Sequence, residues 1–342
     1  MNPYWKRLFL LWSFAGLLVS GCNSRGNQED QEAILTHTPF AGITDSIRQA
    51  EAASAAAPVT AELYFRRGEY LSRNNRHELA AADFQRSWQL QPDETTGLRY
   101  SSTLMIISQT GKAIQLLKDC IRRFPSNSTF PSMLGDIYQQ LGRTKEALGL
   151  YDTMLVSDSA NFEAWYEKGL LLEKMGDTAA AIHSLERAYA MQPVNTYALE
   201  LAHLYAEKKD PAALSICNEV LRKDSAKELL DPLFIKGIYY SNTAQYRKAI
   251  VQFDSCIGRD WKFTDAYLEK GIALFKQNNY PEAMKTFQMA VNVSNTDPDG
   301  YFWIGRCFEA TGNKDQAVQY YQQALALDKD FSEAAAGIRR LK

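Results

Sequence analysis

Apolar residues recur along this chain at i, i+3, i+4 and i+7, the spacing that gathers them on one side of an α-helix. The helical stretches come in pairs, and the pairs themselves repeat. In residues 162–195, Trp165, Gly169, Leu172, Ala181, Leu185, Ala188 and Pro193 stand at the spacing W-x3-G-x2-L…A-x3-L-x2-A-x4-P. Residues 264–297 return the pattern with Tyr267, Gly271, Leu274, Ala283, Phe287 and Ala290. Residues 298–331 do so with Tyr301, Gly305, Phe308, Ala317, Tyr321 and Ala324. The alanine that opens the second helix serves as a ruler: Ala80, Ala113, Ala147, Ala181, Ala213, Ala249, Ala283 and Ala317, at intervals of 33, 34, 34, 32, 36, 34 and 34 residues. The pattern predicts eight helix-turn-helix units.

A small residue at position 8 of each unit and another at position 20 let the two helices approach closely. Larger residues at positions 4, 7, 11 and 24 fill the space around them. Turns between the helices are expected at Gly111-Lys112, Gly142-Arg143, Gly176-Asp177 and Gly312-Asn313, since glycine adopts the left-handed conformation at a helix end cheaply. Pro92, Pro125 and Pro193 stop the second helix. Unit five is degenerate: Ala202 replaces the glycine, Lys208-Lys209-Asp210-Pro211 replaces the glycine turn, and residues 226–232 absorb the extra length. One such unit cannot bury its apolar face alone, so neighbours must stack.

These residues resemble the 34-residue tetratricopeptide repeat over residues 61–331. The resemblance implies an all-α fold, a right-handed α-solenoid superhelix of about eight tetratricopeptide units. It also implies a concave groove lined by positions 2, 5, 9, 12 and 13 of the first helices. Carried onto this chain, the groove residues are Tyr166, Leu170, Leu199, Phe234, Ile238, Leu268, Ile272, Phe275, Phe302 and Arg306. His203 stands in the same column, while the first three units place Phe65, Glu69, Leu98, Ser102, Ser132 and Asp136 there. The groove of units four to eight is therefore expected to be apolar with aromatic anchors, suited to a partner peptide or amphipathic helix. The competing explanation is that these side chains pack against neighbouring helices. The Lys and Asn pattern with which chaperone-binding members grip a C-terminal carboxylate is missing.

The N-terminal pattern is of another kind. Lys6 and Arg7 precede an apolar run at 8–19, which at 12 residues falls short of the roughly 20 a membrane-spanning helix needs. A basic start, a short apolar run and small residues describe a secretory signal over residues 1–21. Val19-Ser20-Gly21-Cys22 resembles the bacterial lipobox, which implies a diacylglyceryl thioether on Cys22 and then N-acylation; an ordinary signal peptide is the alternative. Residues 22–42 read as the lipidated cysteine and a flexible polar tether. Residues 43–60 read as a capping helix with Thr44 a candidate N-cap and Ile43 and Ile47 covering the first unit. Residues 332–342 read as a C-terminal capping helix, with Arg339 and Arg340 favoured by the dipole of its last turn. Asn23 after the cysteine leans toward the outer membrane of a bacterial envelope.

Composition alters the picture little. Net charge is −2, and loss of Lys6 and Arg7 with the signal makes it −4, which leaves no basic field for nucleic acid. Cys120, Cys217, Cys256 and Cys307 show no CxxC or disulfide framework and occupy packing positions, so they read as core thiols. His37, His77, His183 and His203 show no metal-ligand spacing, and no nucleotide-binding or hydrolase motif occurs. The expectation is a protein without cofactor, metal or catalytic site. It would be a membrane-anchored scaffold or assembly factor holding another envelope protein in its groove. A self-assembling array and an enzyme with an unrecognised site are the alternatives.

Overall fold

The computed structural model describes residues 33–37, 39–53 and 57–341, all in helices and the turns between them. Cys22, the signal segment and residues 23–32 lie outside the described residues. The eighteen main helices are α1 (Ala41–Ala52), α2 (Ala57–Arg73), α3 (His77–Leu90), α4 (Glu94–Ile106), α5 (Thr110–Arg123) and α6 (Thr129–Gln140). They continue with α7 (Thr144–Ser157), α8 (Phe162–Lys174), α9 (Thr178–Met191), α10 (Asn195–Glu207), α11 (Ala212–Lys223) and α12 (Asp231–Asn242). The last are α13 (Tyr246–Arg259), α14 (Thr264–Lys276), α15 (Tyr280–Val293), α16 (Pro298–Ala310), α17 (Lys314–Leu327) and α18 (Ser332–Leu341). From α2 onward they form eight helix-turn-helix units, an all-α fold of the solenoid class. The chain divides into two compact bodies, one ending at Leu171 and the other starting at Leu172.

All eight ruler alanines are fully buried. So are the position-24 residues sixteen or fewer places after position 8: Phe84, Leu117, Tyr151, Leu185, Cys217, Phe253, Phe287 and Tyr321. The two positions are matched in size. A methyl group added to Gly68 would come within 2.8 Å of the Phe84 ring, and one on Gly135 within 2.6 Å of Tyr151. Gly237, Gly271 and Gly305 face Phe253, Phe287 and Tyr321 in the same way. Where position 8 carries a side chain, as at Ser101 and Ala202, position 24 is the smaller Leu117 or Cys217. Close packing favours such a match.

Each turn inside a unit holds one left-handed residue: Asn75, Ser108, Gly142, Gly176, Lys209, Ala244, Asn278 and Gly312. The residue after each donates its N–H five residues back, as Arg143 does to Tyr138 at 2.7 Å and Gln245 to Tyr240 at 2.8 Å, the Schellman closure of a helix end. The expected Gly111 turn is corrected here. Gly111 lies inside α5, and Ser108 takes the left-handed place. In unit five the turn residue Lys209 stands four places before Ala213, whereas every other unit has five. The missing residue accounts for one of the two places by which the 32-residue interval falls short of 34, the other being lost before the turn, and the loop before α12 restores the register. There Asp224 accepts the N–H groups of Glu228 and Leu229, and Arg259 donates to the Leu229 carbonyl at 2.7 Å.

In the body ending at Leu171, the expectation of a free tether to residue 42 does not hold for its last part. Residues 33–36 form a helical turn, Phe40 is buried, and Ile34 and Leu35 pack on the core. Thr44 is no N-cap: α1 begins at Ala41, and the Thr44 side chain is buried. Its hydroxyl is close to the Leu35 and Phe40 carbonyls and accepts from Arg67 Nη1 at 3.1 Å. Arg67 in turn makes two 2.7 Å hydrogen bonds to Asp83, so the cap helix covers a buried ion pair between α2 and α3. Ile47 is buried beside it, while Ile43 is half-buried.

In the body starting at Leu172, each first helix packs on its own second helix and on the first helix of the next unit, in the order α10, α12, α14, α16. That order builds one continuous face from first helices. At its end α18 is fixed by a specific pair rather than by the helix dipole alone, since Arg340 donates to both carboxylate oxygens of Glu309 at 2.6 and 2.7 Å.

Candidate partner-binding face

The structure separates the ten expected groove residues into two kinds. Phe234, Ile238, Leu268, Ile272 and Phe302 are buried, Leu268 completely. Phe234 packs on Phe253 and Phe263 at ring distances of 5.7 and 5.1 Å, and Phe302 on Tyr321 and Phe331 at 5.7 and 5.1 Å. These five are core side chains. The apolar stripe read as a groove is largely the seam by which one unit covers the next. Leu199, Phe275 and Arg306 are half-buried on the first-helix face of the second body, and Tyr166 and Leu170 are half-buried on α8 of the first.

Around Arg306 the face has definite chemistry. Its guanidinium carbon stands 5.6 Å from the Phe275 ring centre, 5.8 Å from Phe302 and 5.6 Å from Trp303. Trp303 was not among the sequence-derived groove residues, because the doublet Phe302-Trp303 gives no sign of which ring turns inward. The rings are braced from beneath. Trp303 meets Phe275 edge-on at 5.5 Å and stacks on Phe287 at 5.7 Å, and Phe275 meets Tyr280 at 5.2 Å. The nearest carboxylate, Glu309, lies 3.8 Å from Arg306 Nε, beyond hydrogen-bond reach. Glu309 is already engaged by Arg340 and by the Tyr321 hydroxyl, and chiefly the Arg340 bond holds its carboxyl below the usual carboxylate range.

At the other end of the same body the charge is reversed. Burial pushes the Glu173 carboxyl up to about 7, with Glu200 and Glu207 adding to the effect. Burial also raises Glu200, Glu207 and Asp231, Glu200 feeling Asp231 besides. His203, buried between them in the sequence column of Arg306, is pushed down to about 4 by burial, so it is neutral at pH 7. Its Nε2 lies 3.7 Å from Glu207.

The four cysteines among the described residues are buried and unpaired with one another, and burial pushes each thiol up to about 12. A thiol held protonated is a poor nucleophile and a poor metal ligand. Among the described residues, no group of three or more His, Cys, Asp or Glu is placed to hold a metal ion, and no helix is long and apolar enough to cross a membrane.

Known proteins carry the same repeat. Sequence models of the Tetratricopeptide repeat match residues 42–94, 132–195, 166–227, 236–300 and 298–331. A TPR repeat-containing protein of Methanocaldococcus jannaschii is 22% identical over 233 residues, covering 62% of this chain and 40% of the relative. Human DnaJ homolog subfamily C member 7 is 22% identical over 222 residues, covering 64% and 40%. The alignments thus span about two fifths of the length of these curated relatives. A crystal structure of a tetratricopeptide repeat protein from Parabacteroides merdae superposes with a TM-score of 0.62 at 16% identity, covering 72% of this chain and 97% of that one. PilW, a type IV pilus biogenesis factor, gives 0.53 at 17% identity, covering 61% and 97%. At these identities the structural likeness concerns the fold. Tetratricopeptide repeat proteins mediate interactions between proteins. With repeat models matching residues 42–94, 132–227 and 236–331, more than half of the chain, and a left-handed turn residue closing the first helix of every unit, this chain belongs to the tetratricopeptide repeat family.

Proposed function

We propose that the chain is a non-catalytic interaction scaffold, anchored to a membrane of the bacterial cell envelope through lipid on Cys22, and that a segment of another envelope protein docks on the first-helix face of the body starting at Leu172. The observation that carries the docking part is the half-buried set Leu199, Phe275, Trp303 and Arg306 on that face. Large apolar side chains with an arginine among them are the usual anchors of a protein interface. The anchoring part rests on Val19-Ser20-Gly21-Cys22 behind the basic start and short apolar run. Asn23 at the next position favours the outer membrane.

Two experiments test the halves separately. Cys22→Ser removes the thioether sulfur, so the chain is expected to move from the membrane to the soluble envelope fraction; a membrane-bound variant would refute the anchor. A photo-crosslinking residue at Phe275 in intact cells is expected to capture one distinct protein, and one at the exposed second-helix position Gln288 is not. Equal capture from both positions would refute the docking face. Capture of another copy of this chain from Phe275 would replace the scaffold by a self-assembling array.

A further inference from the structure

The face carries a device that says which chemistry the docked segment brings. Arg306 sits among three rings, its side chain keeps 37% of its surface in solvent, and among the described residues its guanidinium makes no hydrogen bond. An arginine left in this state is unusual. Phe275, Phe302 and Trp303 all stand within 5.8 Å of its guanidinium carbon and hold the group between rings, while its N–H groups reach no closer anion than Glu309 at 3.8 Å. Among the described residues, Glu309 is the carboxylate that forms an ion pair with it, and both oxygens of Glu309 accept from Arg340. The rings that hold Arg306 are themselves wedged into the core through Phe287, Tyr321 and Phe331. The donor fork is therefore held in place before any ligand arrives, which removes much of the ordering cost of binding.

A planar donor fork with its faces on aromatic rings matches one group well, a carboxylate lying in the plane of the fork. Resting on the scaffold reading above, we infer that Arg306 receives an Asp or Glu side chain of the docked segment, with an apolar side chain of that segment beside it against Phe275 and Trp303. Charge supports the same choice and adds a direction. Glu309 is one carboxylate set against two guanidiniums, Arg340 and Arg306, so this end of the face keeps a positive charge, whereas Glu173, Glu200, Glu207 and Asp231 cluster toward the other end. A segment with its acid at the α10 end would meet carboxylates. One with its acid at the α16 end meets Arg306. The face thus reads polarity as well as composition, and repulsion at the wrong end supplies the discrimination.

The probe is a displayed library of random 12-residue peptides, selected on the full chain in detergent. Binders are expected to be enriched in Asp or Glu next to an apolar residue. Arg306→Gln keeps the stem of the side chain and is expected to weaken them by about tenfold or more, in line with loss of a charge-assisted bidentate contact. Arg306→Lys, which keeps the charge but not the fork, is expected to fall in between. Changing the peptide's acid to its amide should weaken wild type and leave Arg306→Gln unaffected, so that the two losses do not add. Unchanged helical content in both variants shows that the fold is intact. Acidic binders that hold Arg306→Gln as tightly as wild type would overturn the inference. Acid-free binders that are lost on Phe275→Ala would also overturn it while leaving the docking face standing. If no peptide is selected on this face, the inference and the docking face fall together.

Discussion

Units five and eight of the second body share one architecture and fill it differently. Unit eight pairs Gly305 with Tyr321, turns on Gly312, and carries Arg306 among rings. Unit five pairs Ala202 with Cys217, turns on Lys209 with one residue fewer, and carries neutral His203 in the column of Arg306. The consensus can therefore be broken at three places without loss of the stack, provided that each change is answered by its partner position. What the change leaves behind is a different surface: acidic around unit five, cationic and aromatic at unit eight. Fold and recognition are written in separate columns of the same repeat.

The largest effect expected from breaking this comparison is at Phe302. As a buried ring it should cost about 3–5 kcal/mol when cut to alanine, seen as a lower denaturation midpoint, whereas Leu199→Ala on the half-buried surface of unit five should cost far less. Near-equal values would return Phe302 to the surface. The size match between positions 8 and 24 comes next. Gly271→Ala drives a methyl into the Phe287 ring and should cost about 1–3 kcal/mol. Adding Phe287→Leu, the size that Ser101 meets in unit two, should recover part of that loss, so that the pair is less than additive.

Acidity sets the end around α8 and α10 apart from unit eight in a third way. Glu173 titrates near 7 in the folded chain and near 4.5 when unfolded, so the native state holds its proton more tightly. Its contribution is thus fully favourable below about pH 4.5 and is lost as pH rises through about 7. Glu173→Gln should flatten the decline in stability across that window, and a decline of unchanged slope would show that its neighbours carry the effect. The smallest change is at the turns. Lys209 and Ala244 adopt the left-handed conformation that costs a side chain about 1 kcal/mol, so Lys209→Gly and Ala244→Gly should each raise stability by roughly that much. Gly312→Ala should lower it by a similar amount.

The repeat period, the buried alanines and the stacked hairpins could all be read from the sequence, because each depends on contacts inside one 34-residue unit. What escaped depends on neighbours. Phe234, Leu268 and Phe302 stand in the column expected to face a groove, yet all three are buried, Phe234 against Phe263 at the start of the next unit and Phe302 against Phe331 before the C-terminal cap, and no pattern within a unit reveals that cover. Gly111 looked like the turn because of its residue type, but helix length decides which residue turns, and Ser108 is forced into the place. Residues 33–37, 39 and 40 read as tether since Ile34, Leu35 and Phe40 lie scattered among polar residues; these three pack on the first unit, and Thr44 above them meets the Arg67–Asp83 pair. Phe275 and Arg306 were placed on the correct helices from the sequence, whereas Trp303 emerged only when its ring direction was known.

Hydrogen exchange of the full chain with and without the protein captured at Phe275 tests the central claim most directly. The account predicts new protection in the first helices α14 and α16, with Phe275 and Arg306 inside the footprint, and little change in the second helices α15 and α17. Protection confined to α15 and α17, or to the body ending at Leu171, would contradict it.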